Sequence, residues 1–118
     1  MKRLESMAEV IKEELAQQIL REVELPEGVL LTITRIEITD DKQQAKVLFS
    51  LLGGSDNTDA MRRQILDLLF RATPFLQRML NRQLRTRPVP RIRFLIDEEE
   101  LKRQRIEELL GQVEKNEL

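Results

Sequence analysis

The spacing of apolar positions predicts that the chain begins with an amphipathic helix. Over residues 1–23 these positions recur at steps of three and four, which places them on one stripe of a helix. Pro26 and Gly28 follow, and both residue types commonly end a helix. The stripe consists of Leu4, Met7, Ala8, Ile11, Leu15, Ile19 and Val23.

The next segments read as a β-hairpin. Residues 29–39 are rich in β-branched side chains, which favours a strand. Their apolar positions are odd-numbered as far as Ile33 and even-numbered from Ile36. The strand therefore contains a bulge near residues 34–35, or it is buried on both faces. A turn of two aspartates and a lysine follows, and the alternating apolar positions Ala45, Val47, Phe49 and Leu51 predict a second, antiparallel strand.

Two further helical patterns follow a glycine-rich loop at residues 53–57. The first covers residues 58–72 and carries one apolar face. Pro74 has no N–H and disfavours a helical residue before it, so this helix must stop or bend there. A third helix can begin at once, with Thr73 as its N-cap and Pro74 at its first position.

The last segments predict one strand and one helix. Residues 85–90 contain two prolines and read as a linker. Residues 91–96 alternate arginine with apolar side chains, as in a half-buried strand. Asp97 and Glu100 have the spacing of a capping box for a final helix through Val113. The order α-β-β-α-α-β-α predicts an α+β fold with a small three-stranded sheet and helices on one side.

The composition excludes several classes of function. With 118 residues, one domain is expected. The chain has neither cysteine nor histidine, so it cannot form a thiolate metal site or a Ser-His or Cys-His catalytic set. No apolar run is long enough to cross a membrane, which favours a soluble, cytoplasmic protein. We expect no enzyme, no cofactor and no metal site.

Charge is distributed very unevenly along the chain. The whole chain has a net charge of −1, yet residues 62–93 carry nine arginines against one aspartate, a net charge of +8. Residues 71–94 alone hold seven arginines and no acidic residue. An isolated arginine is usually an ordinary solvated side chain, but this density of positive charge is typical of a surface that binds RNA or DNA.

Several of these arginines are predicted to share one helix face. On a helical wheel Arg78, Arg82 and Arg85 fall opposite the apolar stripe that contains Leu76 and Leu80. The planar guanidinium group matches phosphate oxygens and stacks on bases, which lysine does less well. The candidate RNA-binding residues are Arg62, Arg63, Arg71, Arg78, Arg82, Arg85, Arg87 and Arg91. Arg93 is expected to point outward from its strand, unless something covers that face of the sheet.

One aromatic residue lies away from the apolar faces. On the second predicted helix Phe70 is about 180° from Met61 and close to Arg63. A phenylalanine in this position is usually covered by a neighbouring helix, and we expect that here. The alternative is that Phe70 stacks on a nucleic-acid base.

Three stretches of the sequence resemble one protein family. LTITRIEITDDKQQAKVLFSLL, residues 31–52, is similar to the first hairpin of the bacterial ribosome-binding factor A family. LRTRPVPRIRFLID, residues 84–97, looks like the family's last strand, and RIEELL, residues 105–110, looks like its closing helix. The resemblance extends over about residues 1–113, in the order that the family shows.

The resemblance implies both a fold and a role. The fold would be a type II KH-like domain, α-β-β-α-α-β with a C-terminal helix, in which a helical kink replaces the usual glycine-rich loop. The domain would occupy residues 1–97, and residues 98–118 would form the C-terminal helix and a short tail. The protein would be a non-enzymatic factor that binds the small (30S) ribosomal subunit precursor and its 16S rRNA late in assembly. As a member of this family, it would act near the 5′ end of the small-subunit rRNA and aid the processing of that rRNA, notably in the cold.

The sequence departs from the family pattern at two places. The family's kink is Ala-x-Gly, whereas this chain has Ala72, Thr73 and Pro74, which predicts a bend of different geometry. The family's first helix leads into an Asp-Pro-Arg turn, whereas residues 25–28 read Leu-Pro-Glu-Gly and lack the arginine. This turn is therefore not counted among the RNA contacts.

Two other functions fit the same residues. The chain could be a KH-like module for another RNA, which would prefer free single strands to assembled subunits. It could also be a protein-binding adaptor whose basic face meets an acidic partner, or a homodimer in which that face pairs with the chain's own acidic helices. For the ribosomal role we expect a monomer when the protein is free.

Overall fold

The computed structural model of the chain describes residues 2–53 and 59–117 and forms an α+β fold with three helices and three strands. Side chains are described for residues 6–53 and 59–112. In chain order the elements are α1 (Lys2–Glu22), β1 (Val29–Ile38), β2 (Gln44–Gly53), α2 (Asp59–Gln83), β3 (Arg91–Ile96) and α3 (Glu98–Glu117). The predicted loop at residues 54–57 and the predicted helix start at Thr58 lie outside the described residues.

The three strands form one sheet with β2 in the centre. β1 pairs with β2 antiparallel, and β3 pairs with β2 parallel along its other edge. A parallel pair needs a long crossover, which α2 supplies. The core side chains of the strands point to one face of the sheet, where α1 and α2 cover them. Phe49 and Phe94 meet there edge to face, with their ring centroids 6.5 Å apart.

The slip in the apolar phase of β1 is a β-bulge. Ile33 pairs with Phe49 and Arg35 pairs with Leu48, so Thr34 is the extra residue. The bulge keeps apolar side chains on the core face on both sides of Thr34, as one of the two sequence interpretations predicts. It also turns the Thr34 hydroxyl towards Asp97, to which it donates a hydrogen bond of 2.6 Å.

The two helices predicted around Pro74 form one continuous helix. α2 runs through Pro74 over 25 residues. Thr73 is not an N-cap, because its hydroxyl donates to the Leu69 carbonyl one turn earlier, at 2.7 Å. Leu69 and Leu76 are both fully buried, so the core holds the helix on both sides of the proline. Packing therefore outweighs the local break that Pro74 favours.

Asp97 starts α3 as its N-cap. The backbone N–H of Glu100 donates to Asp97 Oδ1 at 3.1 Å, which confirms half of the predicted capping box. The reciprocal half is wrong, because the N–H of Asp97 donates instead to the Phe49 carbonyl at 2.8 Å. The Glu100 carboxylate pairs with Arg103. None of the described helices combines the length and apolar character that crossing a bilayer requires.

Candidate nucleic-acid interface

The exposed side of α2 carries most of the predicted arginine contacts. Arg63, Arg78 and Arg82 are exposed on α2, and Arg85 is exposed just after it. Within the described part of the chain, none of these four has a carboxylate within ion-pairing distance. Their guanidinium groups are free to meet an external anion.

Arg71 has a weak internal partner. It lies 3.0 Å from Asp67, one turn earlier on α2, and both side chains are more than half exposed. Exposed pairs of this kind contribute at most about 1 kcal/mol. A phosphate can therefore replace the Asp67 carboxylate at little cost, and Arg71 stays a candidate contact.

Arg62 does not belong to this exposed group. The residue is only 8% exposed, and its guanidinium pairs with Asp59 at the start of α2. Hydrogen bonding from Arg62 lowers the pKa of Asp59, which keeps that carboxylate ionised. Leu101 and Gln104 of α3 lie beside Arg62 around a small pocket. Burial and pairing together withhold this arginine from RNA.

Arg87 closes the C-terminal end of α2. Its guanidinium donates to the carbonyls of Leu84 at 2.7 Å, Thr86 at 2.9 Å and Asn81 at 3.0 Å. Carbonyl groups at a helix C-terminus lack backbone partners and attract cations. Arg87 therefore has a structural role that competes with its predicted role in RNA contact.

β3 carries two further exposed arginines. Arg91 and Arg93 are exposed, whereas Ile92 and Phe94 between and after them are buried in the core. Nothing in the described chain covers Arg93, which settles the uncertainty that the sequence left. We call the exposed set the arginine surface: Arg63, Arg71, Arg78, Arg82, Arg85, Arg91 and Arg93.

A groove of about 700 Å³ separates α2 from the edge strand β3. We call it the α2–β3 groove. Its volume is in the range of small-ligand sites, and its floor is apolar where core side chains reach it. The lining residues are Gln44, Leu66, Asp67, Phe70, Thr73, Arg91, Ile92, Arg93 and Phe94.

Phe70 is exposed on the wall of this groove. It retains 77% of its accessible surface, so the expectation that a neighbouring helix covers it is wrong. The reason is geometric: β3 is the last strand of the sheet, and no described element lies beyond it to cover this side of α2.

Gln77 is a positioning residue that the sequence analysis missed. Its amide accepts a hydrogen bond from the Ile92 N–H at 2.9 Å and donates one to the Pro90 carbonyl at 3.0 Å. These two bonds hold the beginning of β3 against α2 and thereby set one end of the groove. Because both partners are backbone groups, no residue type in the sequence indicated the contact.

Replacing Gln77 with alanine is expected to destabilise the fold by about 1–3 kcal/mol, since the buried N–H of Ile92 loses its partner. Hydrogen exchange at the Ile92 amide should accelerate more than exchange at the centre of β2. The exposed Gln64, on the same helix, supplies the control substitution Gln64→Ala, which should change neither quantity. Equal effects of the two substitutions would contradict this role for Gln77.

The described residues offer little to acid–base or metal chemistry. Among residues 2–53 and 59–117, no group of three acidic side chains is placed to hold a metal ion. Hydrogen bonds lower the pKa values of Asp41, Asp59, Asp97 and Glu100. A carboxyl that acts as a general acid near neutral pH needs the opposite shift.

Comparison with known proteins identifies the family to which the chain is similar. The family model described as "Ribosome-binding factor A" matches residues 3–110. The ribosome-binding factor A of Syntrophobacter fumaroxidans is 35% identical over 116 residues, which cover 98% of this chain and 97% of that protein.

Solved structures show the same relationship. The crystal structure of ribosome-binding factor A from Thermus thermophilus matches with a TM-score of 0.62 at 26% identity, covering 77% of this chain and 91% of that one. A homology model of the Thermus thermophilus ribosome-binding factor A, fitted into the cryo-EM map of its complex with the 30S subunit, matches with a TM-score of 0.58 at 28% identity. That match covers 73% of this chain and 86% of the other. By its sequence and its fold, this chain belongs to the ribosome-binding factor A family.

Proposed function

We propose that this protein binds the small ribosomal subunit through its 16S rRNA during late assembly, and that it acts by binding rather than by catalysis. The observation that carries the proposal is the arginine surface beside the α2–β3 groove. The match to a Thermus thermophilus relative seen with the 30S subunit supports the choice of partner.

The chemistry of the arginine surface suits an RNA backbone. Guanidinium groups donate two parallel hydrogen bonds to phosphate oxygens, and each contact releases counterions from the RNA. The net charge of the chain is −1, so attraction must come from the local field of this surface and not from the whole molecule. Binding is therefore expected to weaken steeply as salt rises.

The recognition is expected to follow the shape of folded rRNA more than its sequence. Phosphate contacts fix position and orientation but carry no base information. Aromatic residues make up only 3% of the chain, which leaves few platforms for reading bases. Phosphate contacts are sufficient to recognise a site that is defined by the folded shape of the assembling subunit.

The two parts of the chain have different tasks in this proposal. Residues 1–97 form the RNA-binding domain, and the helix and tail of residues 98–118 extend from it. The first eleven residues of α3 hold five acidic and three basic side chains, a net charge of −2, which disfavours contact with an RNA backbone. α3 is therefore expected to face away from the rRNA. The protein would act in the cytoplasm, where ribosomes assemble, as a monomer when free.

Removing this protein from its cell should raise the ratio of precursor to mature 16S rRNA several-fold, and more strongly in the cold. The rRNA ends can be mapped by primer extension, with the wild-type gene supplied in trans as the control. Unchanged 16S ends would contradict the maturation role. Recovery of the tagged protein with a messenger or small RNA would then favour a KH-like module for that RNA. A stable dimer without RNA affinity would favour the adaptor.

A further inference from the structure

The exposure of Phe70 needs an explanation that the ribosomal role alone does not supply. The ring is 77% exposed on a helix whose apolar side chains are otherwise directed mostly into the core. Burying a phenylalanine contributes roughly 1.5–3 kcal/mol to a fold, so this chain forgoes that gain. Phe70 also lies among arginines, where an apolar partner surface is not expected.

The position of Phe70 on α2 directs it towards β3. Phe70 and Gln77 are seven residues apart, nearly two helical turns, and so lie on the same side of α2. Gln77 contacts the backbone of β3 at Pro90 and Ile92. The ring therefore faces the same edge strand, one to two turns farther along the groove.

Arginines line the opposite wall of the α2–β3 groove. Arg91 and Arg93 border the groove from β3, while Leu66 and Ile92 contribute apolar surface to it. The one acidic residue in the lining, Asp67, is already paired with Arg71 at 3.0 Å. A flat apolar ring, an apolar floor and two arginines on the strand that forms the far wall together suit a base that is attached to a phosphate.

We infer that Phe70 is a stacking platform for one unpaired base of a single-stranded RNA segment that lies in the α2–β3 groove. This inference rests on the proposed function and specifies which part of the RNA the site takes. The phosphates next to that base would lie against Arg91 and Arg93. Stacking needs an open base face, which a continuous duplex does not present at its sides.

Charge favours RNA over a protein segment in this groove. A peptide that buried Phe70 would have to bring its own carboxylates to Arg91 and Arg93. An RNA strand supplies an anion with every nucleotide and a π face with every base. The partner is therefore a single-stranded polyanion, and a protein occupant is one of the outcomes that the test separates.

The test compares full-length wild type with Phe70→Ala, Phe70→Leu and Phe70→Tyr. The RNA probes are a short unstructured strand carrying 2-aminopurine and a hairpin duplex of the same composition. The chain has no tryptophan or tyrosine, so protein emission does not overlap the probe signal. Emission from the single tyrosine of Phe70→Tyr is avoided by exciting 2-aminopurine at a longer wavelength. Small-subunit binding is measured in parallel.

We expect wild type to quench the 2-aminopurine and to prefer the single strand. Phe70→Ala and Phe70→Leu should lose about 5- to 150-fold in single-strand affinity, the range found for one stacked base. Phe70→Tyr should keep both affinity and quenching. The slope of log K against log salt should not change in any of the three, because no phosphate contact is removed.

Two results would overturn the inference while leaving the proposed function intact. In the first, Phe70→Ala and Phe70→Leu bind the single strand as wild type does. In the second, they lose small-subunit binding but keep RNA affinity and quenching, which would assign Phe70 to a protein contact. Wild type that binds neither the RNA probes nor the subunit would instead refute the proposed function itself.

Discussion

Reversing the charge of Arg78 and Arg82 together should weaken binding to the small subunit by at least about 25- to 60-fold at about 0.1 M salt. Each phosphate contact contributes about 0.7–0.9 to the slope of log K against log salt, so losing two lowers the slope by about 1.4–1.8. Repulsion between the new glutamates and the RNA backbone adds to the loss. The measurement is affinity for purified small subunits across a salt series.

The fold should tolerate this change. Both side chains are exposed and have no ion-pair partner among the described residues. Substitutions at such positions usually change stability by no more than about 0.5 kcal/mol. A matched control reverses Arg21 on α1 and Lys102 on α3, which are exposed and do not belong to the arginine surface. The control has the same net charge, so equal losses in both double variants would show that only total charge matters.

Removing the Asp97 carboxylate should cost about 2–4 kcal/mol of folding free energy, a large part of what a domain of this size possesses. Asp97 is 5% exposed and accepts hydrogen bonds from the Thr34 hydroxyl at 2.6 Å and the Glu100 N–H at 3.1 Å. Asp97→Ala removes both acceptors and so leaves the start of α3 without its cap. Because tryptophan and tyrosine are absent, unfolding in urea is best followed by circular dichroism.

Two milder substitutions separate the two bonds. Asp97→Asn keeps an N-cap of similar quality, so it should cost less than Asp97→Ala. Thr34→Val keeps the volume at the bulge and removes only the hydroxyl, so it should cost about 1–3 kcal/mol. If Asp97→Asn were as damaging as Asp97→Ala, the carboxylate charge would be responsible and not the cap.

The same site has a consequence for acid stability. The hydrogen bond from Thr34 lowers the pKa of Asp97 in the folded chain. A carboxyl whose folded pKa lies below its unfolded value of about 3.9 stabilises the fold above that pH. This contribution is lost as the pH falls through the folded-state pKa. Thr34→Val should therefore flatten the decline in stability below about pH 4, and an unchanged decline would contradict the assignment.

Much of the fold could be predicted because the governing signals are local. The phase slip in β1 indicated a bulge near residues 34–35 as one of two interpretations, since a one-residue insertion moves every later side chain to the other parity, and the structure has that bulge at Thr34. The role of Thr34 could not be predicted in the same way. Its partner Asp97 lies 63 residues later, and only the packing of the sheet brings them together.

The interruption at Pro74 shows where local signals mislead. Proline opposes a helix at that position, and the sequence therefore predicted two helices. Leu69 and Leu76 are both buried against the sheet, and that burial holds one helix on both sides of the proline. The sequence contains both signals, but only the assembled core decides between them.

Whether an arginine is buried or exposed depends on the elements packed around it more than on its spacing in the sequence. Arg62 and Arg63 are neighbours, yet the first is buried beside a small pocket that residues of α3 also line, and the second is exposed. No periodicity in α2 reports where α3 will lie. The contact of Arg87 with the end of α2 could have been predicted from the sequence, because a basic residue just after a helix often binds the last carbonyl groups of that helix.

The sequence predicts the helix face on which Phe70 lies but not its exposure to solvent. The helical wheel separated it from the apolar face, whereas its exposure depends on β3 being the edge of the sheet. Strand order could not be derived from the pattern of residues. The groove between α2 and β3 follows from that order, and so it appeared only in the structure.

Co-sedimentation of the full-length protein with purified small subunits, large subunits and whole ribosomes, across a salt series, tests whether it is a small-subunit binding factor. We expect saturable binding to small subunits alone, with affinity that falls steeply as salt rises. Equal binding to all three particles, or binding to none, would contradict it.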